Sequence, residues 1–253
     1  MPGYFWDANF PGLHPQAILS AAALTIFWLL LFRKLFYPAG RSGPGGKTRF
    51  RLRAASAAVL GALLFTPSIV SLQIPIQQAV SNLLMRSTTL TNQALIALPV
   101  IFLSGLIQEP VKLLAALLPA IRAERRDYLA LGALAGAAYG GMEALLILSS
   151  AFHYPGLAAP VLAAALFERA VVIPFHLALT ALAAHRFSTG TKQGFKALIL
   201  AVLAHSLLLN YLAVFMAPLG GGLPVMLYIT LVTLAAGWYL WKSVKADKEA
   251  RLD

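Results

Sequence analysis

The sequence predicts an all-α fold, a polytopic bundle of about seven transmembrane helices, on three observations. The 253 residues are 59% hydrophobic and 11% charged, with mean hydropathy +0.76, which is too little polar surface to cover a water-soluble globule. The charged residues fall into a few short runs, and the stretches between them stay apolar for about 20 residues or more, enough to span a ~30 Å hydrocarbon core. Those stretches are continuous, unlike the ~10-residue alternating segments of a membrane barrel.

The first helix is expected over 16–37; it has no basic residues before it and Arg33-Lys34 near its end, the pattern of a retained span and not of a cleaved signal peptide. A turn-rich linker, 39–48 (AGRSGPGGKT), leads to a second span over 52–72. Segment 75–86 (PIQQAVSNLLMR) opens with Pro75 and places Val80, Leu83 and Leu84 at helical spacing. It reads as a short amphipathic connecting helix in the outer interface. Five further spans follow over 93–121, 127–151, 158–185, 196–217 and 223–243. With no internal repeat and no soluble segment, residues 1–253 read as a single membrane-embedded domain whose motifs lie in 93–217.

A net charge of +11 would suggest nucleic acid in a soluble domain, but here the basic residues sit between the spans. The expected environment is a bilayer, and no nucleic-acid partner is expected. Loop 33–53 carries Arg33, Lys34, Arg41, Lys47, Arg49, Arg51 and Arg53; loop 122–126 carries Arg122, Arg125 and Arg126. Loop 186–196 carries Arg186, Lys192 and Lys196, and the tail carries Lys242, Lys245, Lys248 and Arg251. With seven spans all four lie on one side. The opposite connections, 152–157 and 217–222, have no Lys or Arg, and 73–92 has only Arg86. The positive-inside rule then puts the N-terminus outside and the C-terminus in the cytoplasm. Tyr4, Phe5, Trp6 and Phe10 at the outer end, and Trp238, Tyr239 and Trp241 at the inner end, read as interfacial anchors.

A charge inside hydrocarbon costs about 3 kcal/mol on the mildest scale, so each needs a partner or a purpose. Counted from the nearest cytoplasmic charge at ~1.5 Å per residue, Glu109 lies ~20 Å deep, Glu143 ~24 Å, His176 ~15 Å, His205 ~14 Å and Asn210 ~21 Å. Four helices therefore deliver polar groups to one layer.

On the third span, LSGLIQEPVKLL holds Gln108, Glu109 and Lys112, with Glu109 and Lys112 at i,i+3 able to pair and Pro110 loosening the backbone. On the fourth, GALAGAAYGGMEALL places Gly132, Gly136 and Gly140 four apart, a face for close helix approach that also aims Glu143 inward. On the fifth, FERAVVIPFHLALTALAAH sets Arg169 and His176 two turns apart. Adjacent Glu168 and Arg169 are expected to face different directions, which makes Arg169 a counter-ion for a carboxylate elsewhere. On the sixth, LAHSLLLNYL carries His205, with Asn210 about 140° further round, reaching the same cavity from its flank. His14, His153 and His185 fall at span ends or in loops and receive no role.

Two carboxylates and two imidazoles at one depth suit hydrolysis. A carboxylate or a bound metal activates water, and His or Asn steadies the oxyanion formed when water attacks a peptide carbonyl. With no cysteine in the chain, any metal falls to His, carboxylate or amide ligands; Glu143, His176 and His205 would be a zinc set with an open position. A proton-coupled transporter also uses intramembrane Glu, Arg and His, but it predicts inverted repeats.

QEPVK, YGGME, ERAVVIPFH with the following LALTAL, and HSLLLN, spread over about 100–212, resemble the ordered motifs of PrsW-type intramembrane proteases. These are relatives of the CAAX prenyl endopeptidases and of the YhfC-type membrane metalloproteases. The resemblance implies an intramembrane endopeptidase of a bacterial or archaeal plasma membrane, acting on a membrane-protein or peptide substrate such as a single-span anti-sigma factor. Carried over by motif, Glu109 and Lys112 match the first, Tyr139 and Glu143 the second, and Arg169, His176 and His205 the later ones. The first two spans and the last show nothing specific. One departure stands out: Gln108 occupies the place of the first glutamate of a Glu-Glu-x-x-Lys motif, and an amide does not accept the proton of water. Either Glu109 or Glu143 then does that work, or the chain is a non-catalytic homologue, or Gln108 is an inactivating replacement.

Overall fold

The computed structural model describes residues 12–36, 44–87, 93–121, 123–153, 159–212 and 222–249. The regular elements among them are all helical: α1 Pro15–Phe36, α2 Pro44–Thr66, α3 Ile74–Ser87, α4 Gln93–Ala120, α5 Arg125–His153, α6 Ala159–Phe187, α7 Thr191–Leu203 and α8 Gly222–Glu249. Two π-helical segments are spliced in, Pro67–Gln73 between α2 and α3 and Ala204–Tyr211 after α7. Among the described residues seven helices are long and apolar enough to cross a membrane, and the chain is an integral multi-pass membrane protein.

The bundle is inverted relative to a soluble one. Large apolar side chains such as Leu19, Leu63, Leu227 and Leu231 face outward, where only lipid accommodates so much of them. The interior is built from small residues, among them Ala57, Ala116, Ala135, Ala184 and Ala197. With lipid outside and hydrocarbon inside, helix association depends on close packing, which small residues permit.

α5 lies at the centre against α1, α2, α4 and α6. Its glycine face makes the closest approach, to α6: a Cβ on Gly132 would stand 2.7 Å from the Thr180 carbonyl oxygen, and one on Gly136 2.5 Å from that of His176. Gly61 of α2 meets the Ala135 backbone in the same way, and Gly105 of α4 meets Val202 and Ser206.

Three sequence expectations are corrected. α2 begins at Pro44 and α7 at Thr191, so Arg49, Arg51, Arg53, Lys192 and Lys196 ride within the N-terminal three turns of helices and not in loops. Segment 75–86 is no separate surface helix, because the π turn carries α2 straight on into α3, giving one 38-residue apolar stretch, Thr48–Met85. That exceeds what a ~30 Å core needs, and α3 packs on α4 with Gln77 Nε2 donating to the Val100 carbonyl at 2.7 Å. The second span, which offered no motif, supplies buried Ser68 and Gln73. Toward the C-terminal end of α8 Trp238 and Trp241 are exposed and carry Lys242 and Lys245 over their rings at 5.2 and 5.4 Å. Tyr4, Phe5, Trp6, Phe10, linker residues 39–43, Arg41, Arg122, Arg251 and most of connections 152–157 and 217–222 lie outside the described residues.

Candidate active site

Missing backbone donors shape the site first. Pro174 has no N–H for the Ala170 carbonyl one turn earlier, and Trp28 Nε1 of α1 donates to that oxygen at 2.7 Å. α1 is thereby pinned to α6 next to Arg169. Between α4 and α7 the absent side chain of Gly105 lets Ser206 Oγ donate to the Phe102 carbonyl at 2.9 Å. One turn further along α4, Glu109 meets His205.

Six of the side chains singled out in the sequence form one continuous chain of contacts across four helices. Arg169 Nη1 donates to Glu143 Oε2 at 3.1 Å, and His176 Nε2 lies 2.9 Å from the same oxygen. His176 Nδ1 stands 2.7 Å from Lys112 Nζ, which is 2.5 Å from Glu109 Oε1. That oxygen also takes His205 Nδ1 at 2.6 Å. Lys112, His176, His205 and Glu109 are all buried, and the two imidazoles pack edge to face with centroids 5.0 Å apart.

Proton placement follows from donor inventories. An ammonium only donates, so His176 Nδ1 accepts from Lys112 and its proton sits on Nε2, directed at Glu143. A carboxylate only accepts, so His205 donates Nδ1–H to Glu109 and keeps its lone pair on Nε2. Lys112 and Arg169 balance Glu109 and Glu143, which is what makes four charges in this layer tolerable.

Tyr139 supports this arrangement from behind, with its ring centroid 5.5 Å from Lys112 Nζ. Ser68 Oγ gives its proton to the Phe65 carbonyl at 2.7 Å, so the Tyr139 hydroxyl is the donor in its 2.8 Å contact with Ser68. Glu168 departs from expectation: it does not face away from Arg169, because the long guanidinium reaches back to Glu168 Oε1 at 2.5 Å. Asn210 departs too. The segment Ala204–Tyr211 is π-helical, and i→i+5 bonding brings residues five apart closer to one face, so the 140° offset expected of an α-helix shrinks. Asn210 Nδ2 donates to Ser104 Oγ of α4 at 2.9 Å and makes no direct bond to the ionic chain.

The expected zinc set changes by one member. Glu109, His176 and His205, and not Glu143, offer ligand atoms within 4.8 Å of one another; Glu143 is turned to the far nitrogen of His176. Two imidazoles and a carboxylate fit zinc chemically. Lys112 bonds Glu109 Oε1 and His176 Nδ1, so a metal that drew on those lone pairs would compete with the ammonium.

Gln108 lies buried beside Glu109 and donates Nε2–H to Gln73 Oε1 at 2.9 Å. Sequence reasoning missed Gln73, Ser68, Ser104 and Trp28. Polar side chains inside apolar runs were the available signal, but the π turn that points Gln73 inward has no sequence signature. Toward the N-terminal half of α4, an apolar cleft of about 420 Å³ opens between Val80, Leu98, Pro99, Phe102, Leu103 and Leu207. No protein-family model, curated protein or solved structure matches the chain.

Proposed function

We propose that this protein is an intramembrane endopeptidase that hydrolyses a peptide bond of a membrane-embedded substrate. The observation that carries the reading is the Glu109–His205 contact at 2.6 Å, in which a buried carboxylate orients an imidazole beside the ammonium of Lys112. A carboxylate holding one imidazole nitrogen leaves the other to act as a base, the arrangement that recurs in hydrolytic sites. His205 Nε2 takes a proton from water while the water oxygen bonds to the scissile carbonyl carbon. The resulting oxyanion is stabilised by Lys112, and collapse breaks the C–N bond as His205 returns the proton to the leaving amine. Glu143 and Arg169 hold His176, which keeps Lys112 in place. A zinc ion held by Glu109, His176 and His205 in exchange for Lys112 would polarise the same water as a Lewis acid.

The apolar cleft beside Leu207, two residues from His205, supports lateral entry of a substrate helix. The basic α2, α7 and α8 ends support a cytoplasmic C-terminus and an external N-terminus; a bacterial or archaeal plasma membrane rests on the motif resemblance alone. Because the chain has no cysteine, single-cysteine variants read this cleanly: Gly12→Cys should react with an impermeant maleimide from outside, and Ser188→Cys only after permeabilisation. The functional test is cleavage of a single-span substrate in proteoliposomes by purified protein. Loss of cleavage in Glu109→Gln supports the reading; unchanged cleavage overturns it.

A second reading draws on the unbroken contact chain from Glu168, whose side chain is 47% exposed, to buried His205, since such chains also relay protons. Proton flux in substrate-free proteoliposomes that Glu143→Gln abolishes would favour that reading.

A further inference from the structure

Three carboxamides run in series beside the ionic network. Gln77 Nε2 donates to the Val100 carbonyl at 2.7 Å, Gln73 Nε2 to Gln77 Oε1 at 3.3 Å, and Gln108 Nε2 to Gln73 Oε1 at 2.9 Å. A backbone carbonyl only accepts, so Val100 at the far end fixes the sense of every amide in the row. Reversing the row would set Gln77 Oε1 against the Val100 oxygen. Gln108 therefore commits its amide nitrogen to Gln73 and turns Oε1 away from the row.

That oxygen is buried, with Gln108 only 3% exposed, and among the described residues it has no donor. The row imposes this state at a cost, since burying an acceptor without a donor is unfavourable, and a bound donor would remove that cost. The row also depends on a local irregularity of the second span. In the π segment Pro67–Gln73 the buried residues are Ser68, Ile69 and Gln73, while Val70 and Leu72 are exposed. Spacing of five lines up Ser68 with Gln73 on the inward face, where an unbroken α-helix would carry Gln73 away from it. π turns inserted in helices are frequent at functional sites.

We propose that Gln108 Oε1 is the receptor atom of a buried binding site for one hydrogen-bond donor, with Gln73 and Gln77 as positioning residues that hold the oxygen outward. Its occupant rests on the endopeptidase reading above: the donor is the attacking water or a backbone N–H of the bound peptide. Both are donors of the right size beside Glu109, and the cleft residues Phe102 and Leu103 lie one to two turns outward on the same helix. An amide orients such a ligand without taking its proton, so the role is alignment and not acid-base transfer.

Electron cryomicroscopy of the full chain in nanodiscs, at a resolution that shows waters, tests this with and without a non-cleavable single-span peptide. Density about 2.7–3.2 Å from Gln108 Oε1 in both states identifies water; density only with peptide identifies the N–H. Absence of density in both states overturns the site. Gln73→Leu keeps the volume and severs the row. It should remove the density and cost about three- to tenfold, the worth of one net hydrogen bond, in kcat if the ligand is water and in KM if it is the peptide. Gln73→His should restore both, because imidazole accepts at one nitrogen and donates from the other. Equal folding without that rescue reduces Gln73 to a space-filler and overturns the proposal; if Gln73→Leu does not fold, the unsubstituted density decides. Density at Gln108 in a protein that cleaves nothing leaves the donor site standing and removes only the endopeptidase reading.

Discussion

Lys112 Nζ lies between Glu109 Oε1 at 2.5 Å and His176 Nδ1 at 2.7 Å, so a single ammonium joins the two halves of the buried network. Removing it leaves the Glu109 carboxylate in hydrocarbon without its ion pair. Breaking one side of a buried pair costs about 3–5 kcal/mol, and Lys112→Met is expected to destabilise by that order in thermal unfolding of the detergent-solubilised protein. Adding Glu109→Gln should recover part of the loss, since no lone charge then remains. If Lys112→Met alone is as stable as the parent, the ion pair is not what organises this layer.

The same substitution bears on metal binding. With the ammonium gone, Glu109 and His176 offer free lone pairs alongside His205, so Lys112→Met should take up more zinc than the parent protein after equilibration and dialysis. Elemental analysis gives the count. One tightly held equivalent in the parent, unchanged by the substitution, would show that Lys112 and the metal do not compete.

Glu109 and His205 are expected to act as a unit. Glu109→Gln or His205→Ala should each lower the cleavage rate by about 10²–10⁴, the usual scale for removing an acid-base group, and the double variant should be little worse than either single one. Strictly additive losses would mean that the two residues serve separate steps.

Much of this layer was legible in the sequence because charge in an apolar run is rare enough to count. Glu109, Glu143, His176 and His205 stood out by a shared range of depth, which helix rise makes readable, while Lys112 stood out by its i,i+3 spacing from Glu109 and Arg169 as a counter-ion on the helix of His176. What escaped depended on departures from regularity. Gln73 and Asn210 face where they do because the helix changes to i→i+5 bonding beneath them, and Trp28 finds its acceptor only because Pro174 frees a carbonyl on another helix. The zinc triad shifted from Glu143 to Glu109 for a related reason: depth along a helix is readable, whereas the rotation that selects which imidazole nitrogen meets which carboxylate is set by packing.

The glycine face separates stability from site geometry. A methyl at Gly136 would meet the His176 backbone oxygen at 2.5 Å, whereas one at Gly140 would meet the His176 ring at 2.9 Å. A backbone neighbour cannot swing aside, so Gly136→Ala should push α5 from α6 and lower thermal stability by about 1–3 kcal/mol, as overpacking does. Gly140→Ala should displace the imidazole instead, lowering cleavage more than stability. Equal effects on both readouts in both variants would mean that the helices simply reseat.

Position 108 carries the sharpest test. If the first motif needs a carboxylate there, Gln108→Glu should raise cleavage from a low starting rate. The amide row argues against a simple gain: Gln73 presents Oε1 to residue 108, and Val100 holds it in that sense. An ionised carboxylate would face an acceptor oxygen, an unmet contact costing about 1–3 kcal/mol. Gln108→Glu alone is therefore expected to lower the unfolding temperature and to leave cleavage no faster. Combining it with Gln77→Leu frees Gln73 to rotate its Nε2 toward the new carboxylate, so the double variant should recover stability relative to Gln108→Glu. A single variant that gains both stability and activity would show that the row turns around readily, and that a carboxylate at this position, and not His205, is the base.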